Sequence, residues 1–139
     1  MVVVSLKKRL THYIPFVLQV IPELKNTKAL TLEQQKLAEG ELILRAINSS
    51  TDLVLLDEHG KEFRSIEFAD YVQKRMSSGR DVVFVVGGPY GFSEAIYQRA
   101  NGKISLSKMT FSHQMVRLFF VEQLYRAMTI LRGEPYHHE

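Results

Sequence analysis

The chain has no cysteine among its 139 residues. That absence excludes a disulfide framework, a thiol nucleophile, thiolate zinc and iron–sulfur chemistry together, and it agrees with a reducing compartment. Long apolar runs are also missing. The most apolar stretch, 115–131, is interrupted by Arg117, Glu122 and Arg126, whereas crossing a bilayer takes roughly 18 to 20 residues with few or no charges. No transmembrane segment and no membrane partner are expected. The positive charges Lys7, Lys8 and Arg9 follow a very short apolar run, the reverse of a secretory signal, so a cytoplasmic protein is expected. No repeat, low-complexity tract or Pro/Gly/Ser linker breaks the chain, which reads as one domain over 1–139.

With 45% hydrophobic and 24% charged residues, the chain has enough apolar side chains to bury a core. Its net charge of +3 is unevenly spread. Residues 1–36 carry six Lys/Arg against two acids, 37–86 six against nine, and 87–139 six against four. The basic ends are compatible with a polyanionic partner, attracted in a salt-sensitive way.

Short β-branched runs alternate with helical patterns. Val2–Val4, Phe16–Ile21, Leu53–Leu56 and Val82–Val86 read as strands, with a further short one at Lys103–Leu106. Val-Val-Phe-Val-Val is apolar on both faces, which favours a sheet covered on both sides. Thr31-Leu-Glu-Gln34 has the spacing of a capping box, followed by Leu37, Ala38, Leu42, Ile43, Ala46 and Ile47 at helical intervals. Ser65 is a candidate N-cap for a second helix with Ile66, Ala69, Val72 and Met76 inward, ending by Gly79. A last helix spans about Ser112 to Leu131 with Val116, Phe119, Phe120, Leu124, Ala127, Met128 and Leu131 inward. The expected class is α/β, a mostly parallel sheet flanked by helices on both faces. Met115, Leu118, Val121, Tyr125 and Ile130 lie outside the main stripe of the last helix, and this second apolar face predicts a homodimer.

Three segments follow predicted strands, at the carboxyl ends where open α/β sheets place ligands. Asp57-Glu-His-Gly-Lys61 is a turn after Leu56, and on its own it reads more as a solvated loop than as a site. Gly87-Gly-Pro-Tyr-Gly91 lets a ligand approach the backbone. It lacks both the P-loop Gly-Lys-Ser/Thr and the full dinucleotide spacing, so a nucleotide hydrolase is disfavoured. Leu106-Ser-Lys-Met-Thr-Phe-Ser-His113 runs into the last helix, with Ser112 as N-cap and His113 and Arg117 four apart beside the positive helix end. The tail Pro135-Tyr-His-His-Glu139 carries adjacent histidines without the i, i+4 spacing of a helical metal site, and no metal is expected.

Together these segments resemble the ribosomal RNA large subunit methyltransferase H family, a branch of the SPOUT superfamily. The resemblance covers nearly all of residues 13–139. It rests on Val85-Val-Gly-Gly-Pro-Tyr-Gly-Phe92, Leu106-Ser-Lys-Met-Thr-Phe-Ser-His-Gln-Met-Val-Arg117, Glu122-Gln-Leu-Tyr-Arg-Ala127 and Pro135-Tyr-His-His138. It implies a C-terminal trefoil knot, which general topology rules argue against, and S-adenosylmethionine as cofactor. The implied substrate is N3 of a pseudouridine in 23S ribosomal RNA, in the subunit-interface stem-loop of the assembled ribosome. The implied cofactor contacts are Leu56, Gly87, Leu106, Ser107, Lys108, Met109, Thr110 and Phe111. Between its first strand and the motif matching Leu6-Lys-Lys-Arg-Leu10 the family has a turn and most of a helix that this sequence lacks. Two readings follow, a true deletion or a segment left out of this numbering, and a true deletion puts RNA docking on that face in doubt.

N3 of the base holds a proton between two carbonyls and is a poor nucleophile until that proton leaves. His137 and His138 are the candidate acceptors. Tyr136 would anchor the tail over the site, and Arg117 would neutralise developing charge. His113, Arg126 and Arg132 are the expected RNA contacts. A non-catalytic ribosome-binding protein with the same fold is the alternative.

Overall fold

The fold is that of a computed structural model, in which residues 2–6, 16–20, 29–87 and 90–138 are described. Their elements are β1 (Val2–Leu6), β2 (Phe16–Val20), α1 (Leu32–Arg45), β3 (Asp52–Glu62), α2 (Ser65–Met76), β4 (Val82–Val86), α3 (Glu94–Arg99), β5 (Gly102–Ser105) and α4 (His113–Leu131). The sheet order is β2-β1-β4-β3-β5. β3 is parallel to both β4 and β5, while β1 is antiparallel to both β4 and β2. Four strands therefore point one way and β1 alone opposes them, in keeping with a mostly parallel sheet.

Strand alternation divides the core into two layers. Val82, Phe84 and Val86 of β4, with Val54 and Leu56 of β3, pack on one side against Phe68, Ala69 and Val72 of α2 and Phe120, Leu124 and Ala127 of α4. Val83 and Val85, with Leu53 and Leu55, meet Ile43 of α1 and Ile96 of α3 on the other. Both faces are covered, which is why the central strand has no polar side chain.

The helix ends follow local chemistry. Thr31 and Gln34 close the expected capping box, each side chain accepting from the other's backbone N–H, at 3.1 and 2.9 Å. Ser112 caps α4, its hydroxyl accepting from the Met115 N–H at 3.4 Å. At α2 the N-cap is Arg64 in place of Ser65, because Glu67 reaches back to the Arg64 N–H at 2.8 Å. Several apolar positions differ from the expected stripes. Ile66 and Leu37 are exposed, and Phe119 of α4 is 37% exposed, while Ile130 packs on the core. Leu6 closes β1, and the rest of the motif through Leu10, like Ile21, lies outside the described residues.

β3 extends beyond the turn expected after Leu56. Residues 57–60 leave the ladder, and Lys61 rejoins it opposite Ile104, the residue already paired with Leu56. Gly60 is required there, since a Cβ would lie 2.5–2.7 Å from the Ile104 backbone.

Candidate active site

At the carboxyl ends of β3, β4 and β5 the chain opens into a cavity of about 580 Å³. Its walls come from the three segments singled out by position: Leu56 to His59, Gly87 with Tyr90 to Phe92, and Leu106 with Ser107 and Met109 to His113. Gly88 and Pro89 lie outside the described residues. Of the expected cofactor contacts, Leu56, Gly87, Leu106, Ser107, Met109, Thr110 and Phe111 line this space, and Lys108 of the same loop does not. The volume is within the usual 300–1,000 Å³ of small-molecule sites. A Cβ on Gly87 would stand 2.8 Å from the Phe92 ring, so glycine is what lets that ring close the cavity floor.

The loop between β5 and α4 is held by its own serines. Ser105 donates to the Ser107 carbonyl at 2.9 Å, and Ser107 Oγ accepts from the Met109 N–H at 3.0 Å. Met109 is left 73% exposed. His113, on the first turn of α4, faces the cavity, and the Nε of Arg117 one turn on is buried without a hydrogen-bond partner among the described residues. The amino end of α4 offers its backbone donors and positive dipole end to an anionic group there, whereas Arg117 does not itself line the cavity.

A pair absent from the sequence reading spans the cavity wall. The Tyr97 hydroxyl of α3 donates to Asp57 Oδ2 at 2.5 Å, and Asp57 Oδ1 accepts from the His59 N–H at 2.9 Å. Burial, reinforced by the Asp57 carboxylate, pushes the Tyr97 phenol up to about 12. The phenol is thus a fixed donor at neutral pH and keeps the 57–60 excursion tied to α3. The two residues are 40 apart; the only hint in sequence is that Tyr97 lies about one helical turn beyond the glycine loop.

A smaller cavity of about 320 Å³ lies between α2 and α4 and shares Ile104 to Ser107 and Phe111 with the larger one. Glu122 lines it and also gathers the tail. Glu122 Oε1 accepts from Arg126 at 2.6 and 3.1 Å and from the Tyr136 hydroxyl at 3.2 Å. The carboxylate raises the pKa of Arg126; Tyr136 is also raised, by desolvation first and then by its bond to Glu122. The Tyr136 ring stands perpendicular to Tyr125 at 5.0 Å, with the Arg126 guanidinium 4.9 Å from it. His137 Nδ1 is 3.1 Å from Arg126 Nη1. Guanidinium only donates, so Nδ1 accepts and the ring proton of the neutral form sits on Nε2.

Among the expected site residues, Tyr136, His137 and Arg126 therefore converge on α4 beside the smaller cavity, and His113 on the larger. Arg132 is paired with Glu134 at 3.0 Å, and His138 is exposed. Among the described residues no group of three or more His, Cys, Asp or Glu is placed to hold a metal, and no helix is long and apolar enough to cross a membrane.

Parallel strands, helices on both faces and a ligand-sized cavity beyond the strand carboxyl ends define an α/β protein built around a small-molecule site. Residues 2–137 match the family model described as "Predicted SPOUT methyltransferase", and the chain belongs to the SPOUT methyltransferase family. It is 65% identical over 133 residues to the ribosomal RNA large subunit methyltransferase H of Bacteroides thetaiotaomicron, covering 95% of this chain and 85% of that protein. The protein of the same name from Parabacteroides distasonis is 65% identical over 134 residues, covering 96% and 85%. That from Christiangramia forsetii is 64% identical over 131 residues, covering 94% and 83%. Family membership implies a methyl donor of the S-adenosylmethionine type.

Proposed function

We propose that this protein transfers the methyl group of S-adenosylmethionine to N3 of a pseudouridine in 23S ribosomal RNA, acting in the cytoplasm on the assembled ribosome. The observation that carries the reading is the convergence of three segments, distant in sequence, on one cavity at the strand carboxyl ends. Leu56, Gly87, Leu106, Ser107, Met109, Thr110 and Phe111 are its cofactor contacts, with Lys108 of the same loop turned out of the set, and the reading includes the trefoil knot of the SPOUT fold. The residues fit such a cofactor. Phe92, Leu106 and Val86 give apolar walls for a purine, the Asp57 and Glu58 carboxylates suit hydroxyls and a cationic centre, and the α4 amino end suits a carboxylate.

When bound, the cofactor supplies an electrophilic methyl group. The protein's main task is to hold the base nitrogen about 3 to 3.5 Å from that carbon. His137 and His138 are the proton acceptors of the reading. Because Arg126 occupies His137 Nδ1, His137 accepts a proton there only once that contact opens. Arg117 and Arg126 oppose the negative charge that builds on the base carbonyls, and His113 and Arg132 meet the RNA backbone. An N3 edge is reachable only in a splayed nucleotide, which a loop provides.

The reading includes a homodimer. Met115, Leu118 and Tyr125 are exposed on one face of α4, Leu118 by 62%, and a contiguous apolar face of this kind is what an isologous contact covers. Native mass spectrometry at micromolar concentration should show twice the chain mass; a monomer would refute it.

The deciding experiment is transfer of a labelled methyl group from S-adenosylmethionine to unmethylated intact ribosomes, with mass spectrometry of the RNA fragments. Label on a pseudouridine-containing loop fragment is expected. Cofactor binding with no labelled RNA would overturn the reading.

A further inference from the structure

The 320 Å³ cavity between α2 and α4 has two kinds of wall. Phe63 and Phe68 supply one ring pair, with centroids 6.4 Å apart, and Phe111 and Phe119 another, at 5.3 Å and nearly perpendicular. Ile104 and Leu106 add aliphatic wall, and one edge is polar. The Ser65 hydroxyl donates to Gln123 Oε1 at 2.9 Å, and Gln123 Nε2 donates to Glu122 Oε2 at 3.0 Å. Counting donors and acceptors leaves specific vacancies. Glu122 Oε1 already accepts three bonds, whereas Oε2 accepts one; the Gln123 amide has a second N–H, and the Ser65 oxygen has lone pairs. This edge offers one acceptor for a ring N–H and one donor for a ring carbonyl.

We propose that this cavity seats the target base, one unstacked pyrimidine-dione ring against the phenylalanines with Ser65, Glu122 and Gln123 on its non-reacting polar edge. The assignment rests on the methyltransferase reading above and adds where the acceptor lies. Three observations select that occupant. At about 320 Å³ the space is at the small end of ligand pockets, suited to a single ring, while the neighbouring 580 Å³ suits the larger cofactor. Aromatic walls with a hydrogen-bonding rim are how proteins hold an extruded base. The two cavities share Ile104 to Ser107 and Phe111, so a ring here borders the cofactor space. The tail lies at the same place, since Glu122 binds both Tyr136 and Arg126.

Gln123→Leu and Ser65→Ala test this on the full-length protein. Ser65→Ala leaves the start of α2 intact, because that cap is made by Arg64 and Glu67, and it decides the matter if the leucine variant does not fold. The readouts are the ribosome concentration at half-maximal methylation, the single-turnover rate, and the affinity for S-adenosylhomocysteine by calorimetry. Each variant is expected to lose about tenfold or more on the ribosome side, with unchanged S-adenosylhomocysteine affinity. Equal loss of that affinity would assign the cavity to the cofactor, and wild-type behaviour in both variants would leave the base seated elsewhere; either overturns the proposal alone. If the unsubstituted protein binds S-adenosylhomocysteine yet labels no ribosomal RNA, the broader reading fails first and this one with it.

Discussion

The two ends of the parallel strands are built differently. At the amino ends, buried Asp52 is paired with Arg75. Arg80 donates to the Ser50 and Thr51 carbonyls at 2.6 and 3.2 Å, and Arg99 to those of Asn48 and Thr51, both at 2.9 Å. Asn101 exchanges two bonds with the Leu53 backbone, at 2.7 and 2.9 Å. At the carboxyl ends the loops are bonded mainly to themselves, Met109 and Phe111 are exposed, and two cavities adjoin. One pole ties three strands together with polar bonds from side chains to backbone; the other leaves donors, acceptors and apolar surface unspent. Stability and ligand chemistry are thus separated along a single strand direction, about 15 Å of β3 apart at roughly 3.3 Å per residue.

Substitutions that strike one pole should spare the other. The largest effect is expected from removing residues 135–139. Methyl transfer to ribosomes should be abolished while calorimetric affinity for S-adenosylmethionine and the melting temperature hold; retained turnover would sink the role given to the tail. Arg75→Ala reverses the pattern. It strands the Asp52 carboxylate and should cost about 3 kcal/mol in urea unfolding, without changing cofactor affinity of the folded protein. If affinity fell in step with stability, the two poles would not be separable. Gly87→Ala drives a methyl group into the Phe92 ring and should weaken cofactor binding about tenfold for a stability loss of roughly 1–3 kcal/mol. Tyr97→Phe is the mildest, losing one hydrogen bond worth about 1 kcal/mol. Its pH dependence gives the sign. The phenol is raised in the folded protein, so its contribution is complete below the free phenol's value near 10 and is lost as pH climbs toward about 12. Wild type should therefore lose stability in that alkaline window relative to the phenylalanine variant, and equal pH profiles would remove the bond from the account.

Much of this division is visible in the sequence, for reasons that also explain what is not. β4 has the bounds of its Val-Val-Phe-Val-Val run, because a strand apolar on both faces has only the sheet centre to occupy. Thr31 and Ser112 are visible as caps because the interaction is local. Arg64 is not, since its capping depends on where Glu67 turns back. The inward stripes of α2 and α4 are partly misassigned, Ile66 and Phe119 being exposed and Phe68 buried, because periodicity gives the spacing of a face but not which neighbour covers it. The cofactor loops are legible from their places after strands and from the family resemblance. The Asp57–Tyr97 bond, the Ser65–Gln123–Glu122 chain and the amino-end arginine contacts are long-range pairings, which no local pattern encodes.

Leu56 and Lys61 meet the same residue of β5, so the excursion between them adds nothing to the register of the sheet. Its two ends are in effect one position of the ladder. What fixes the excursion is therefore not the ladder but two contacts beside it, the Asp57 carboxylate held by the Tyr97 hydroxyl and Gly60 pressed on the Ile104 backbone. The excursion is a side loop hung on one rung of the sheet: it can present Glu58 and His59 to the cavity while the strands on either side keep their register.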